Sequence, residues 1–257
     1  FHFFLKSPLA VAGLSIILGI VAVAIFADFI APYSPIEIDI MNSLLPPSAD
    51  HLFGTDDMGR DIFSRVIYGT RISLTAAFVV ILVAYSIAIP LGTTAGYKGG
   101  LIDDVLMRLT DMFLAFPSLI LALAFSAALG PGLVNAMLAL SLTWWAPVVR
   151  VVRGQALLIR ESYYVKAAKA LGASDLYISI HHVIPNTLGI LTVRASLDFG
   201  WTVFVAASLG FFGLGAQAPA PDWGLMVSKG RLWFISNPWL SLFPGLAIFV
   251  TILGANL

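Results

Sequence analysis

The 257 residues include no cysteine, which excludes disulfides and thiolate metal sites while leaving the compartment open. Charge is scarce: Asp, Glu, Lys and Arg make up 11% of the chain, and 14 bases balance 14 acids. A neutral chain lacks the basic surface that phosphate backbones require, so nucleic acid is not an expected partner. No Gly-x4-Gly-Lys-Ser/Thr loop occurs. Lys98 and Lys229 are each followed by glycine but not preceded by a glycine-rich stretch, so there is no phosphate cradle and no expected nucleotide cofactor on this chain. Internal repeats and low-complexity linkers are also missing. The first apolar run is too long for a cleaved signal peptide and has no small-residue cleavage pattern.

What fills the chain is hydrocarbon. Hydrophobic residues are 59% of the sequence and mean hydropathy is +0.94, well outside the balance of a soluble domain. A hydrocarbon core of about 30 Å needs roughly 20 helical residues, and this yardstick predicts an all-α integral membrane protein: one domain, 1–257, with six transmembrane helices. The expected spans are 9–30, 72–95, 112–129, 133–149, 187–214 and 239–257. Span 2 carries Pro90 and Gly92, where it kinks or ends. The uncharged run from Met112 to Val149 is twice the length of one span, and Gly130-Pro131-Gly132 near its middle predicts a tight hairpin. Lys98 to Asp111 reads as a short charged turn. The last span stops on an apolar residue, which leads one to expect a polar tail beyond it.

Two polar loops interrupt the spans on one side, 31–70 and 217–237. The first opens with four prolines, and Asp56 and Asp57 suit the start of a helix carrying Ile62, Phe63, Val66 and Ile67 as an apolar stripe; that helix is expected to lie at the membrane interface. The second holds Trp223 and Trp233, interfacial aromatics. On the other side, with the N-terminus inside, fall Lys6, Lys98, Arg108, Arg150, Arg153, Arg160, Lys166 and Lys169, against Arg60, Arg65, Arg71, Lys229 and Arg231 outside. That bias makes the 150–186 segment cytoplasmic.

This segment, and within it Glu161 to Asn186, is the most patterned polar stretch. Tyr164, Ala167, Ala168 and Leu171 recur at i, i+3, i+4 and i+7 and share a helix face, with Lys166 and Lys169 opposite. Ser162 is placed to cap that helix and Gly172 to end it. Ser174 caps a second short helix with Tyr177, Ile180 and Ile184 on one face, which Pro185 is expected to stop. Two short helices bent at a glycine make a plug for a partner's groove; their modest cationic content makes a poor lipid anchor.

The remaining polar residues each carry two readings. Arg194 and Asp198, four apart inside span 5, are a structural ion pair or face a translocation path. His181 and His182 point about 100° apart and do not converge on one metal, so a docking or surface role is expected; His51 is a loop histidine near Asp50 and Asp56. Arg108 and Asp111 are expected to pair at an interface, with a gating role as the alternative, and Trp144 and Trp145 to pack against protein or lipid, with a substrate platform as the alternative. No metal site is expected.

The 162–186 stretch resembles the EAA loop of the permease subunits of bacterial ATP-binding-cassette importers: Lys166-Ala167-Ala168, then Gly172, then His182-Val183-Ile184-Pro185, with Lys166 where the family often has glutamate and His182 where it often has isoleucine. FGTDDMGRDIFSRVIYGTRISL before span 2 and LGFFGLGAQAPAPDWGLM after span 5 resemble the second permease type of its dipeptide, oligopeptide and nickel branch. The resemblance implies the type I importer permease fold. It implies half of a translocation pathway in the bacterial inner membrane, a second homologous permease subunit, two cytoplasmic ATPases that bind the ATP and Mg, and an extracytoplasmic substrate-binding protein. Tyr164, Lys166, Ala167, Ala168, Leu171, Gly172, Ser174, His182, Ile184 and Pro185 would then form the ATPase-coupling surface, Arg194 and Asp198 the pathway, and Asp56, Asp57, Arg60, Asp61 and Trp223 a receptor-facing loop. The implied cargo is a di- or oligopeptide, with nickel or another small solute as the alternative; a carrier or channel working alone is the remote one.

Overall fold

The structure is a computed structural model that describes residues 7–257; Lys6 lies outside them. The described residues form helices and no strand. Five helices are long and apolar enough to cross a bilayer: α1 (Pro8–Ile25), α3 (Ile62–Lys98), α6 (Leu133–Arg160), α9 (Ile184–Phe211, continuous with the turns before it from Asp175) and α11 (Trp239–Asn256). A sixth candidate is the bent pair α4 (Gly100–Leu114) and α5 (Ser118–Leu129), which meet at 87°. Short helices complete the set: α2 (Ala27–Ile30), α7 (Tyr163–Ala170), α8 (Asp175–Ile178) and α10 (Trp223–Gly230).

Three expectations need correction. First, no separate interfacial helix precedes span 2: α3 runs unbroken from Ile62 to Lys98, through Pro90. Its start is fixed by Asp61, whose Oδ2 accepts the Ser64 amide at 2.7 Å, an N-cap bond that Asp56 and Asp57 do not make. Second, the charged stretch after Lys98 is helix α4, and the break falls before Ser118, because Pro117 disfavours helical backbone at Phe116. Third, the expected Arg108–Asp111 pair gives way to Arg150–Asp111, since α6 brings a guanidinium across to α4.

The chain divides into two compact units. One comprises the described residues up to Val79, with Phe125–Leu138 and Leu197–Leu257. Its core is Ile62, Val66, Trp223, Met226 and Leu240, with Phe53 and Phe243 stacked at 3.9 Å beside it. Glycines bring α1 and α11 together: a methyl on Gly13 would fall 2.8 Å from the Leu257 Cβ, and one on Gly254 would fall 2.5 Å from Ile16 Cγ2. Close approach at small residues is how apolar helices pack where no hydrophobic force separates lipid from protein.

The other unit comprises Val80–Ala124 and Ala139–Ser196. Gly92 and Gly96, one helical turn apart on α3, meet α6: a methyl on Gly92 would lie 2.6 Å from Val152 Cβ, and one on Gly96 2.5 Å from the Arg153 carbonyl oxygen. Arg153 holds Asp103 of α4 with two hydrogen bonds. Trp144 and Trp145 are buried, and the Trp145 ring meets Phe113 edge-on at 5.0 Å.

Candidate functional site

The segment following α6 is built by local rules. Ser162 occupies the N-cap position of α7 with extended backbone, yet its hydroxyl donates to the Ile159 carbonyl at 2.6 Å, so the side-chain cap expected there is absent. The C-terminal end closes as a Schellman motif: Gly172 N–H donates to Lys169 and Ala173 N–H to Ala168, both at 3.0 Å, with Gly172 at φ +88°. Ser174 then caps α8, its Oγ accepting the Tyr177 amide at 3.2 Å.

Pro185 does not stop the second helix, contrary to the sequence expectation. The backbone widens into a π turn over Ser179–Val183 and continues as α9. A proline cannot donate to the carbonyl four residues back and its ring crowds that group, and a π turn just upstream absorbs the strain. Side chains serve the neighbouring carbonyls: Asn186 Nδ2 donates to His182 at 2.7 Å and Thr187 Oγ1 to Val183 at 2.8 Å.

The segment has an inner and an outer face. Val165, Ile178 and Val183 are buried with Tyr97 of α3 and Ala156 of α6, and Ala168 packs beside them. Tyr164, Ala167, Leu171 and Lys166 face outward, with Leu171 88% exposed and Leu176 71% exposed. Of the apolar stripe read from the sequence, Tyr164, Ala167 and Leu171 thus lie outward and Ala168 alone turns to the core. The residue that anchors α7, Val165, was missed, although its spacing to Ala168 was a usable signal. Tyr177 stacks on His181 at 4.3 Å and lies 6.0 Å from His182, whose ring is 5.9 Å from Tyr164. Ile184 is half-buried and Pro185 exposed. Glu161 pairs with Lys166 at 3.0 Å and with Arg160 at 3.3 Å; Lys166 first, then Arg160, holds its carboxyl below the usual carboxylate range.

The residues expected to face a receptor turn inward instead. Asp56 accepts the Met58 and Arg60 amides on Oδ1 and Arg60 Nε on Oδ2 at 2.8 Å. Asp61 caps α3 and meets His51 Nδ1 at 2.9 Å, so His51 is a structural partner, its ring tilted against Tyr33 at 4.9 Å. Trp223 is 2% exposed and donates Nε1 to the Val66 carbonyl at 2.9 Å. Of the five, Asp57 alone is exposed. These groups are consumed in folding the loop, because buried charges need partners. Nearby Asp222, also buried, accepts the Leu225 amide at 2.8 Å; burial pushes its carboxyl up to about 6, against the two amide bonds from Leu225 and Gly224.

Arg194 and Asp198 both lie on α9, Asp198 buried and Arg194 half-buried. Among the described residues no group of three or more His, Asp and Glu side chains gathers as metal ligands do.

Residues 88–257 match the family of binding-protein-dependent transport system inner membrane components. The chain belongs to that family. Residues 1–47 match the N-terminal transmembrane domain of oligopeptide transport permease C. The probable D,D-dipeptide transport system permease protein of Escherichia coli K12 is 46% identical over 98% of this chain and 84% of its own length. The dipeptide transport system permease protein of Alkalihalophilus pseudofirmus is 45% identical over 98% and 83%, and the glutathione transport system permease protein of Pectobacterium atrosepticum 38% over 99% and 85%. A chain of the inward-facing MetNI methionine ABC transporter superposes with a TM-score of 0.60 at 20% identity, covering 75% of this chain and 94% of its own, a likeness of fold. The permease is a multi-pass membrane protein and a transporter subunit.

Proposed function

We propose that this permease is one half of the translocation pathway of an ATP-driven importer for di- or oligopeptides. Dipeptides and glutathione, the cargoes in the relatives' names, set the cargo class. The chain is a single transmembrane domain in the bacterial inner membrane with its N-terminus in the cytoplasm, loop 31–70 outside and the 161–183 segment inside. It pairs with a second, homologous permease subunit; two cytoplasmic ATPases carry ATP and Mg, and an extracytoplasmic binding protein delivers cargo to the exposed part of the outer loops, Asp57 included.

One observation carries the reading: α7 and α8 present Tyr164, Leu171 and Leu176 outward while Val165, Ile178 and Val183 fasten them to the ends of α3 and α6. Exposed apolar side chains on a rigidly fastened cytoplasmic element suit a partner's groove. A push on α7 reaches α3 through Tyr97 and α6 through Ala156, so closure of an ATPase dimer becomes rigid-body motion of the spans. Arg194 and Asp198 are proposed to line the path, since charge inside a span is tolerated there for a function.

The test is to purify the tagged chain from its native membrane, identify co-eluting subunits, and measure ATPase stimulation by the binding protein loaded with dipeptide. The reading expects a second permease, ATPases and cargo-dependent stimulation. Transport by the lone chain under an ion gradient would overturn it.

A further inference from the structure

A groove of about 190 Å³ opens on the unit that holds the C-terminal half of α9. It is lined by Phe204, Ala207 and Phe211 from α9, Phe212 just after it, Val227 from α10 and Ile248 from α11. Phe204, Ala207 and Phe211 follow one side of the helix at i, i+3 and i+7, and Gly224 lets α10 come against the Ala207 backbone, making the opposite wall. The one hydroxyl in the lining, on Ser208, already donates to the Phe204 carbonyl at 2.9 Å. A guest finds no free side-chain donor there and otherwise only apolar side chains, which suits hydrocarbon.

The mouth is different. α9 ends at Phe211, and the exposed Arg231 guanidinium lies over the Phe211 ring, 5.3 Å from its centroid. Directly after it Leu232, Trp233, Phe234 and Ile235 are exposed, Ile235 completely. An aromatic, apolar segment next to an arginine at a span's end belongs at head-group depth. An apolar slot with a cation at its membrane-surface end is complementary to an amphiphile with an anionic head. A second protein helix, with a diameter of about 10–12 Å including side chains, is too wide for a slot of this volume.

We propose that this groove is a phospholipid site: one acyl chain fills the slot between Phe204 and Phe212, and Arg231 holds the phosphate. In the orientation proposed above this is a lipid of the outer leaflet. The inference requires only that the chain spans a bilayer, so it stands or falls separately from cargo and ATPase partners.

The test uses the complete importer in nanodiscs. Because the chain has no cysteine, Ser208→Cys supplies a single thiol in the groove. Phosphatidylglycerol should slow its maleimide labelling saturably, whereas a phosphate-free diacyl glycolipid should not. After detergent extraction, native mass spectrometry should show one retained phospholipid on the wild type. Arg231→Gln should weaken retention about fivefold, the effect of one basic side chain at a head group, and Ala207→Phe should abolish it, both with unchanged elution and basal ATPase activity. Equal retention in all variants would mean annular lipid only. That result, equal protection by the glycolipid, or a cross-link from Ser208→Cys to the second permease subunit would each overturn the proposal.

Discussion

Arg153 holds both carboxylate oxygens of Asp103, Nε at 2.5 Å and Nη2 at 2.6 Å, and so ties α4 to α6. The pair is largely sheltered, which leaves either partner costly to strand alone. Arg153→Gln and Asp103→Asn should each destabilise the protein by about 1.5–3 kcal/mol, the range for a charge-assisted bond. The double variant should lose less than the sum, and thermal unfolding in detergent measures the cycle.

The seam between α3 and α6 allows no added side chain. Gly96→Val should fail to yield a monodisperse protein, because its first methyl would already lie 2.5 Å from backbone oxygen and backbone cannot yield as a side chain does. Gly154 on the same α6 has open space around it. Gly154→Ala should raise stability by about 0.5–1 kcal/mol through helix propensity alone, and size-exclusion profiles with melting curves separate the two.

Gly172 tests the bend between α7 and α8. Its φ of +88° is strained for other residues, and nothing crowds the position, so Gly172→Ala isolates the backbone cost, about 1 kcal/mol. Gly172→Pro, which also removes the bond to Lys169, and Ala168→Glu, which puts a charge against the Val165 cluster, should abolish transport and uncouple ATPase activity while membrane insertion persists. Vesicle uptake set beside ATP hydrolysis checks this.

These tests follow the line between what the sequence discloses and what it hides. Span-length apolar runs and the Gly130-Pro131-Gly132 turn are written in composition and spacing, as is the glycine bend at 172. Direction of burial is not. Tyr164, Ala167 and Leu171 have the spacing of a core stripe just as Val165 and Ala168 do, and the position of Tyr97 and Ala156 decides that Val165 is the buried side. Asp56, Arg60 and Asp61 look like surface charge until their partners in the fold are known. Pro185 reads as a stop because a π turn upstream has no local signature.

Asp222 links stability to pH. Its carboxyl titrates near 6 when folded against an ordinary 3.8. A raised acid binds its proton more tightly in the folded state, so its contribution is present below the ordinary value and is lost as pH rises through about 6. That difference corresponds to about 3 kcal/mol. Asp222→Asn keeps an acceptor for Leu225 and has no proton to lose, so its melting temperature should fall less than the wild type's between pH 4 and 6.5. Parallel curves would show that Asp222 does not titrate there.

The central claim, that α7 and α8 seat in an ATPase, is tested most directly by a single thiol at the exposed tip. Leu171→Cys in the assembled importer, treated with a short bifunctional reagent, should cross-link to an ATPase subunit, with a yield that changes between nucleotide-free and ATP-bound states. Val165→Cys, buried beneath, should not react. No ATPase adduct from Leu171→Cys in an importer that still transports would contradict the account.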